Sequence, residues 1–405
     1  MYIESLSIEA FRNFSKAKLT LTPPTKEKGS NIHLLLGPNG SGKTSLLRAI
    51  ALVAIHEILP KSGFIPDYLV QETPGNTPRQ AKIDAEFRLH HRDIAGVLEG
   101  TILARAARID RQQGLLTGTG SPTTAEALYQ EDSPGFFVVG YGASRWVPVA
   151  DQADIPAARK RLRGRRYQRI ASLFEDNFGL MPFEAWIPTA AHMQVDQFGK
   201  IVDLVNSLLP PEIRMPKVLD VAINPDQEIQ FHQGNGTRLP LRALSDSYRS
   251  YLGWIGDLIF HLASCCPHGT QLNELPGIVL VDEIDLHLHP AWQRRILETI
   301  SEKLPRLQFI VTSHSPLVAG SLKAEQIHII GVDEHGEPTV IKPDQEIRGL
   351  DADQILLTSY FGLESTRVPG FRDSMGDLYE KAMAGDPQAR LAMMDFYAHG
   401  KADPS

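Results

Sequence analysis

Along the first ninety residues, short runs of alternating apolar and polar positions are interrupted by one stretch with a helical period. Residues 2–8 alternate, residues 17–21 do so more weakly, and residues 32–36 form a continuous apolar run that ends at a glycine. These predict strands, the last of the fully buried type. Leu46, Leu47, Ile50, Val53 and Ile58 recur at helical spacing within residues 45–59, and Pro60 ends the pattern, which predicts a helix. Residues 81–89 return to alternation. From 92 to 235 the pattern is mixed: loop-like stretches at 114–123 and 146–153, a strand-like 136–141, and helical patterns at 168–178 and 198–209. Beyond Leu241 a long helix is predicted, then a strand at 278–281, a helix at 291–304, a strand at 308–312, a hairpin-like stretch around 331–340 and acid-rich helices.

No stretch approaches the eighteen uninterrupted apolar residues of a membrane span, so a membrane partner is not expected. With 42% hydrophobic and 22% charged residues, the chain can bury a core and is not a disordered polymer. The N-terminus lacks the basic start and apolar run of a secretory signal, and adjacent Cys265 and Cys266 are the only cysteines. The expected location is therefore cytoplasmic. Net charge is −7, but Arg159, Lys160, Arg161, Arg163, Arg165, Arg166 and Arg169 form a run with no acid among them. Residues 321–405 hold eight Lys or Arg against fifteen Asp or Glu. The basic run is a candidate contact for nucleic acid or an acidic protein, against the ordinary alternative of a solvated loop.

Gly37-Pro38-Asn39-Gly40-Ser41-Gly42-Lys43-Thr44 fits the phosphate-loop pattern and stands between a predicted strand and a predicted helix. Backbone N–H groups of Asn39, Gly40, Ser41, Gly42, Lys43, Thr44 and Ser45 are the expected cradle for ATP. Lys43 would neutralise terminal phosphate charge and Thr44 would ligate Mg²⁺. Far downstream, Gly277-Ile278-Val279-Leu280-Val281 leads into Asp282 and Glu283. Asp282 at the strand end is the expected holder of the magnesium shell, and Glu283 the base toward water. His314 ends another predicted strand thirty-two residues later, within reach of a γ-phosphate. His287 and His289 are read as structural or subunit-contact residues, since no cysteine or third histidine joins them. Ser245 or Asp246 would cap the long helix whose apolar face begins at Tyr248. Strands and helices alternating at both ends of the chain predict an α/β nucleotide-binding head with an inserted lobe.

The order phosphate loop, capped serine helix, strand-Asp-Glu and strand-His, with the opening Ile8-Glu9-Ala10-Phe11-Arg12-Asn13-Phe14, resembles the ATP-binding-cassette ATPases of the RecF and structural-maintenance-of-chromosomes (SMC) type. The resemblance implies a P-loop NTPase fold of ABC/SMC head type, with a mixed sheet core, an inserted helical lobe and a C-terminal helical segment. The head would comprise residues 1–91 and 236–335, the largely helical lobe with its basic run 92–235, and an acidic helical extension 336–405. It places Walker A on residues 37–44, the signature on 244–248 with Ser245, Asp246 and Ser247 toward ATP, Walker B on 278–283, the D-loop on 284–287 and the switch histidine on His314. Asp246 and Ser247 replace the signature's usual glycine pair. No glutamine loop is evident, and residues 137–145 are the candidate for its position.

The string from Val281 through Asp285, Leu286, His287, Leu288 and His289 to Pro290, with Ala352-Asp353-Gln354-Ile355-Leu356 and Phe361-Gly362-Leu363, resembles more narrowly the PtuA-like ATPases of Septu and retron anti-phage defence systems. That resemblance implies a homodimer or higher homo-oligomer with composite ATP sites and a separate effector, such as a nuclease. The alternative is a RecF-like DNA repair ATPase that binds duplex DNA through the basic run. A transporter subunit does not match the opening motif. Asp351-Ala352-Asp353 has the spacing of a carboxylate pair but is better explained as a helix cap.

Overall fold

The computed structural model describes residues 1–64, 66–72, 78–93, 98–112, 116–119, 137–148, 164–193, 195–209, 230–232, 237–267, 270–334, 336–343, 345–363, 365–366 and 371–399. Two sheets carry the head, and β8 (Gln230–His232) pairs with β9 (Arg238–Pro240) in a separate two-stranded ribbon. The first is antiparallel, in the order β2 (Phe14–Thr20), β1 (Tyr2–Phe11), β4 (Gln80–Arg88), β5 (Ile102–Asp110), β6 (Leu116–Thr119). The second has six strands. β12 (Ile327–Val332), β3 (Ile32–Leu36), β11 (Leu307–Thr312), β10 (Gly277–Val281) and β7 (Val138–Tyr141) run parallel, and β13 (Pro338–Ile341) is antiparallel at one edge. All residues of β3, β10 and β11 are buried, as expected of parallel strands covered on both faces. β1 and β4 alternate buried and open positions instead.

The helix after the phosphate loop, α1 (Lys43–Ile55), lies between the sheets and is buried on nearly all sides. Its Leu46, Leu47, Ile50 and Val53 join Ile8, Ile83 and Phe87 from the first sheet and Ile278, Leu280 and Ile310 from the second in one core. A helix apolar around its whole circumference has no stable position except inside such a sandwich. Further along the chain, α2 (Phe183–Met193), α3 (Val195–Leu208) and α4 (Asp246–Cys265) pack on one another, and α3 meets α5 (Ile296–Lys303). An aromatic cluster of Phe183, Trp186 and Phe231, with Tyr251, Trp254 and Trp292, fills this lobe.

The expected segment boundaries shift. β5, β6 and β7 fall within 92–235 yet belong to the head's sheets, so the lobe's helices begin only after β7. β6 lies where a loop was expected. The pattern at 168–178 folds as a short helical turn over Arg165–Gln168 and a 3-10 turn over Ala171–Leu173 rather than as one helix. The break between the two compact units falls after Leu350 rather than at 336, because the β12–β13 hairpin belongs to the second sheet. Unit two, residues 351–405, contains the helical turn Ala352–Leu356, capped by a reciprocal box of Asp351 and Gln354, and a helical pair, α6 (Phe371–Met383) and α7 (Pro387–His399). Among the described residues, no helix is long and apolar enough to cross a membrane. Both cysteines are free.

Two histidines are buried where β3 meets β12. His33 Nε2 lies 2.9 Å from Thr22 O, and His328 Nε2 lies 3.3 Å from His33 Nδ1. The carbonyl can only accept, so the His33 hydrogen sits on Nε2 and its Nδ1 accepts from His328. Both rings are then neutral. Burial pushes His33 down to about 4 and His328 to about 3, the latter also feeling its neighbour. The unfolded chain therefore binds more protons than the fold below pH 6.5. The pair's contribution to stability is complete above that pH and is lost as pH falls toward 4, by at most ~1.4 kcal/mol per pH unit for each ring. Urea unfolding between pH 6.5 and 4.5 should show a shallower loss of stability for the His33→Gln/His328→Gln protein than for the wild type.

Candidate nucleotide site

The parallel sheet brings the C-terminal ends of β3, β10 and β11 side by side, where ligands of open α/β sheets bind. β3 runs into the phosphate loop, which opens α1. Gly42 immediately precedes α1 with φ +107, and a Cβ there would lie 2.3 Å from the Phe14 ring and 2.9 Å from Asn13 Oδ1. Gly37 is equally confined, since its Cβ would meet Ile330 O at 2.5 Å. These two glycines let the loop turn against the β1–β2 hairpin and β12. Asn13 Nδ2 donates to Gly40 O at 3.0 Å and closes the contact.

Lys43 Nζ folds back onto Gly37 O and Pro38 O, at 2.8 and 2.9 Å. Burial lowers its pKa, opposed by Asp282, Glu283 and Asp285. Ser41 Oγ is buried with no hydrogen-bond partner, and nothing lies within 4 Å of where a Gly40 Cβ would stand. An ammonium held only by carbonyls, an orphaned hydroxyl and an open loop at a helix N-terminus fit a polyphosphate.

Asp282, at the end of β10, is 5% exposed, and both its oxygens are engaged. Thr44 Oγ1 donates to Oδ2 and Thr312 Oγ1 to Oδ1, each at 2.7 Å. Thr312 Oγ1 also accepts from Glu283 N at 2.7 Å, and Thr312 O from Ile284 N at 2.9 Å. Glu283 stands in the left-handed region at φ +49. Lys43, Thr44, Ser45, Asn39, Gly40, Gly42, Asp282, Glu283 and His314 line one cavity of about 560 Å³. A hydroxyl and a carboxylate suited to a hard divalent cation thus face a second carboxylate and an imidazole across it.

Ser245, Asp246 and Ser247 do not line this cavity. Ser245 holds the N-cap position of α4 without a side-chain capping bond, and Asp246 turns to Arg249. Ser245 and Asp246 are exposed. His289 accepts from Ala291 N at 3.3 Å and caps the turn after the D-loop. Gln293 ties that turn to the His314 loop, donating to Leu288 O at 2.9 Å and accepting from Ser315 Oγ at 2.7 Å.

Several lining residues carry no sequence pattern of their own. Residues 67–72 are pinned to the β1–β2 hairpin by Arg12 N to Leu69 O and Gln71 N to Ala10 O. This brings Tyr68, Val70 and Glu72 beside Arg12 and Asn13 at the cavity wall. Among the described residues of the loop after β7, 142–148, there is no glutamine. Instead Arg145 Nη2 donates to Glu283 O at 2.6 Å.

The basic run is only partly a surface. Arg159, Lys160, Arg161 and Arg163 lie outside the described residues, and Arg165 is exposed. Arg166 and Arg169 are buried, at 4% and 5% exposure. The Arg169 guanidinium stacks 5.3 Å from the Phe137 ring centroid, so these two are corrected from the expected polyanion contact to interior residues. A His90, His91 and Glu99 cluster gathers three ligand atoms within 4.8 Å. His90 Nδ1 accepts from Arg92 N, which leaves the ring hydrogen on the Nε2 that faces Glu99. No lone pair is offered there, so the cluster is not a metal centre.

Fold and site together are those of a P-loop nucleotide-binding head with the SMC-head fold. Residues 5–125 match a family model described as "AAA domain", and residues 140–320 match one described as "AAA domain, putative AbiEii toxin, Type IV TA system". The chain is similar to the Septu protein PtuA of Bacillus mycoides (strain KBAB4), 24% identical over 90% of this chain and 45% of that one. It is also similar to the Retron Vc95 probable ATPase of Vibrio cholerae serotype O1 biovar El Tor, 38% identical over 24% of this chain and 19% of that one. The chain thus spans less than half the length of these relatives. In structure it resembles an SMC head solved with the C-winged helix domain of ScpA, with a TM-score of 0.51 and 16% identity over 84% of this chain and 97% of that chain.

Gly42→Ala combines a strained φ with a clash against Phe14. It should abolish binding of a fluorescent ATP analogue, whereas Gly40→Ala, which meets nothing, should lose at most about thirtyfold through its backbone strain of ~1–2 kcal/mol.

Proposed function

We propose that this ATPase binds Mg·ATP in the cavity between the phosphate loop and Asp282, hydrolyses it across the interface of a head-to-tail homodimer, and by its nucleotide state controls a partner effector, a nuclease, in anti-phage defence. The observation that carries the dimer is the separation of parts. Lys43, Thr44, Asp282, Glu283 and His314 share one cavity, while Ser245 stands exposed at the N-terminus of α4 and does not line it. A helix N-terminus with an exposed hydroxyl is a phosphate ligand waiting for one, and the γ-phosphate available to it is that of a second subunit.

Thr44 and Asp282 would hold Mg²⁺, which when bound supplies charge neutralisation at the β- and γ-phosphates. Lys43 exchanges its carbonyl partners for phosphate oxygens, a stronger charge-assisted contact. Glu283 accepts the proton of the attacking water, and His314 holds the γ-phosphate from the neighbouring strand end. The effector and the defence role rest on the likeness to Septu and retron relatives. The burial of Arg166 and Arg169 removes two of the seven cations on which a DNA-binding repair ATPase was expected to rely.

Shared sites are tested by complementation. Lys43→Ala and Ser245→Arg proteins should each be inactive alone. Mixed dimers should recover part of the hydrolysis, because one of their two sites draws an intact phosphate loop from one chain and an intact Ser245 from the other. No recovery despite demonstrated subunit exchange would count against the composite site.

A further inference from the structure

We propose that Arg145 is a positioning residue for hydrolysis, anchoring the main chain of Glu283 from the loop after β7 so that the Glu283 carboxylate is held in the cavity. The proposal rests on the reading of Glu283 as the base. Glu283 follows Asp282 directly after the buried end of β10 and lines the cavity together with Lys43. Its backbone, at φ +49, is in a conformation that costs a non-glycine residue about 1–2 kcal/mol. Such strain persists only where the surroundings impose it.

Three groups impose it here. Thr312 takes the N–H groups on either side of the strained residue, at 2.7 and 2.9 Å. Glu283 O accepts from Leu286 N at 3.0 Å within the turn and from Arg145 Nη2 at 2.6 Å. The Thr312 contacts come from β11 and those of Arg145 from the opposite neighbour of β10, so the base is clamped from both flanking strands. Tyr141, the last residue of β7, accepts Asp282 N through its carbonyl at 2.8 Å, which fixes the loop's origin against the same turn.

Arg145 is not placed as an ordinary fold-stabilising arginine. It is 5% exposed, its Nε is buried without a partner, and its own φ is +35. Burial lowers its pKa to about 10, opposed by Asp282, Asp285 and Glu283, so it carries its charge at neutral pH. A buried cation with an unfilled donor is costly. Its position is explained by the carboxylates it faces and the carbonyl it holds.

The test uses Arg145→Lys and Arg145→Gln in the full chain. Both should bind ATP with a dissociation constant within about threefold of wild type, because the phosphate loop is untouched. Their kcat should fall on the order of tenfold to a hundredfold, the effect of misplacing a reacting group by about an ångström. In single-turnover measurements, Arg145→Lys/Glu283→Gln should be no slower than Glu283→Gln alone, as expected of residues acting through one another. Hydrogen exchange of the nucleotide-free proteins should show faster exchange confined to the hydrogen-bonded amides of Glu283, Ile284 and Leu286. If Arg145→Gln does not fold, Arg145→Lys, which keeps the charge but not the planar fork, carries the test. Unchanged kcat, or multiplicative losses in the double variant, would overturn the proposal. Unaltered exchange at those amides would overturn it whatever the hydrolysis rates. Wild-type turnover in Glu283→Gln alone would instead remove the base assignment, leaving the anchoring to be judged by exchange.

Discussion

The site is organised around one buried carboxylate. Asp282 accepts hydroxyl hydrogens from Thr44 on α1 and Thr312 on β11, residues 238 and 30 positions away. Left without donors, a buried carboxylate would cost several kcal/mol, so its satisfaction requires α1, β10 and β11 to be in register at once. The strand order β3-β11-β10 supplies that register, and the core around α1 holds it. Because Thr312 also takes the Glu283 amide, the residue that donates to Asp282 also holds the next residue in its strained conformation. The phosphate loop, the Thr44–Asp282 pair and the Glu283 turn are consequences of a single junction between the two ends of the chain.

The parts of this junction that announce themselves in the sequence are local. The phosphate loop needs its glycines within eight residues, and β3, β10 and β11 are continuous apolar runs because both faces are covered. What is not legible depends on partners far along the chain. β5 pairs with β4, yet its buried positions include Arg105, Ala107 and Asp110, which mute the alternation. β7 reads as strand-like in the sequence, but its four residues, one of them Gly140, do not show that it pairs with β10. Arg145 follows no spacing rule, since its significance comes from a carbonyl 138 positions away. Charge misleads in the same way. A run of seven cations reads as surface, but Arg169 lays its guanidinium on Phe137, and an arginine inside a protein is invisible to composition.

The same geometry separates what one chain can do from what it cannot. Its cavity gathers Lys43, Thr44, Asp282, Glu283 and His314, and Gln293 links the turn at Leu288 to the His314 loop. Ser245 and the α4 N-terminus face elsewhere. Buried Asp257 of α4 accepts from Tyr141 Oη at 2.9 Å and Met181 N at 2.7 Å, so α4 is fastened to the strand that precedes Arg145. Closure of a second subunit on the cavity would therefore be felt by an element attached to the base's own anchor.

The central claim is that the nucleotide site is half a site until a second copy completes it. The most direct measurement is the mass of the Glu283→Gln protein by sedimentation equilibrium, with and without saturating Mg·ATP, because slow hydrolysis preserves whatever complex ATP creates. The account predicts that ATP doubles the mass and that Ser245→Arg in the same background prevents the doubling while leaving ATP binding intact. A protein that binds ATP and keeps the same mass, or one whose ATP-driven association is indifferent to Ser245→Arg, would contradict it.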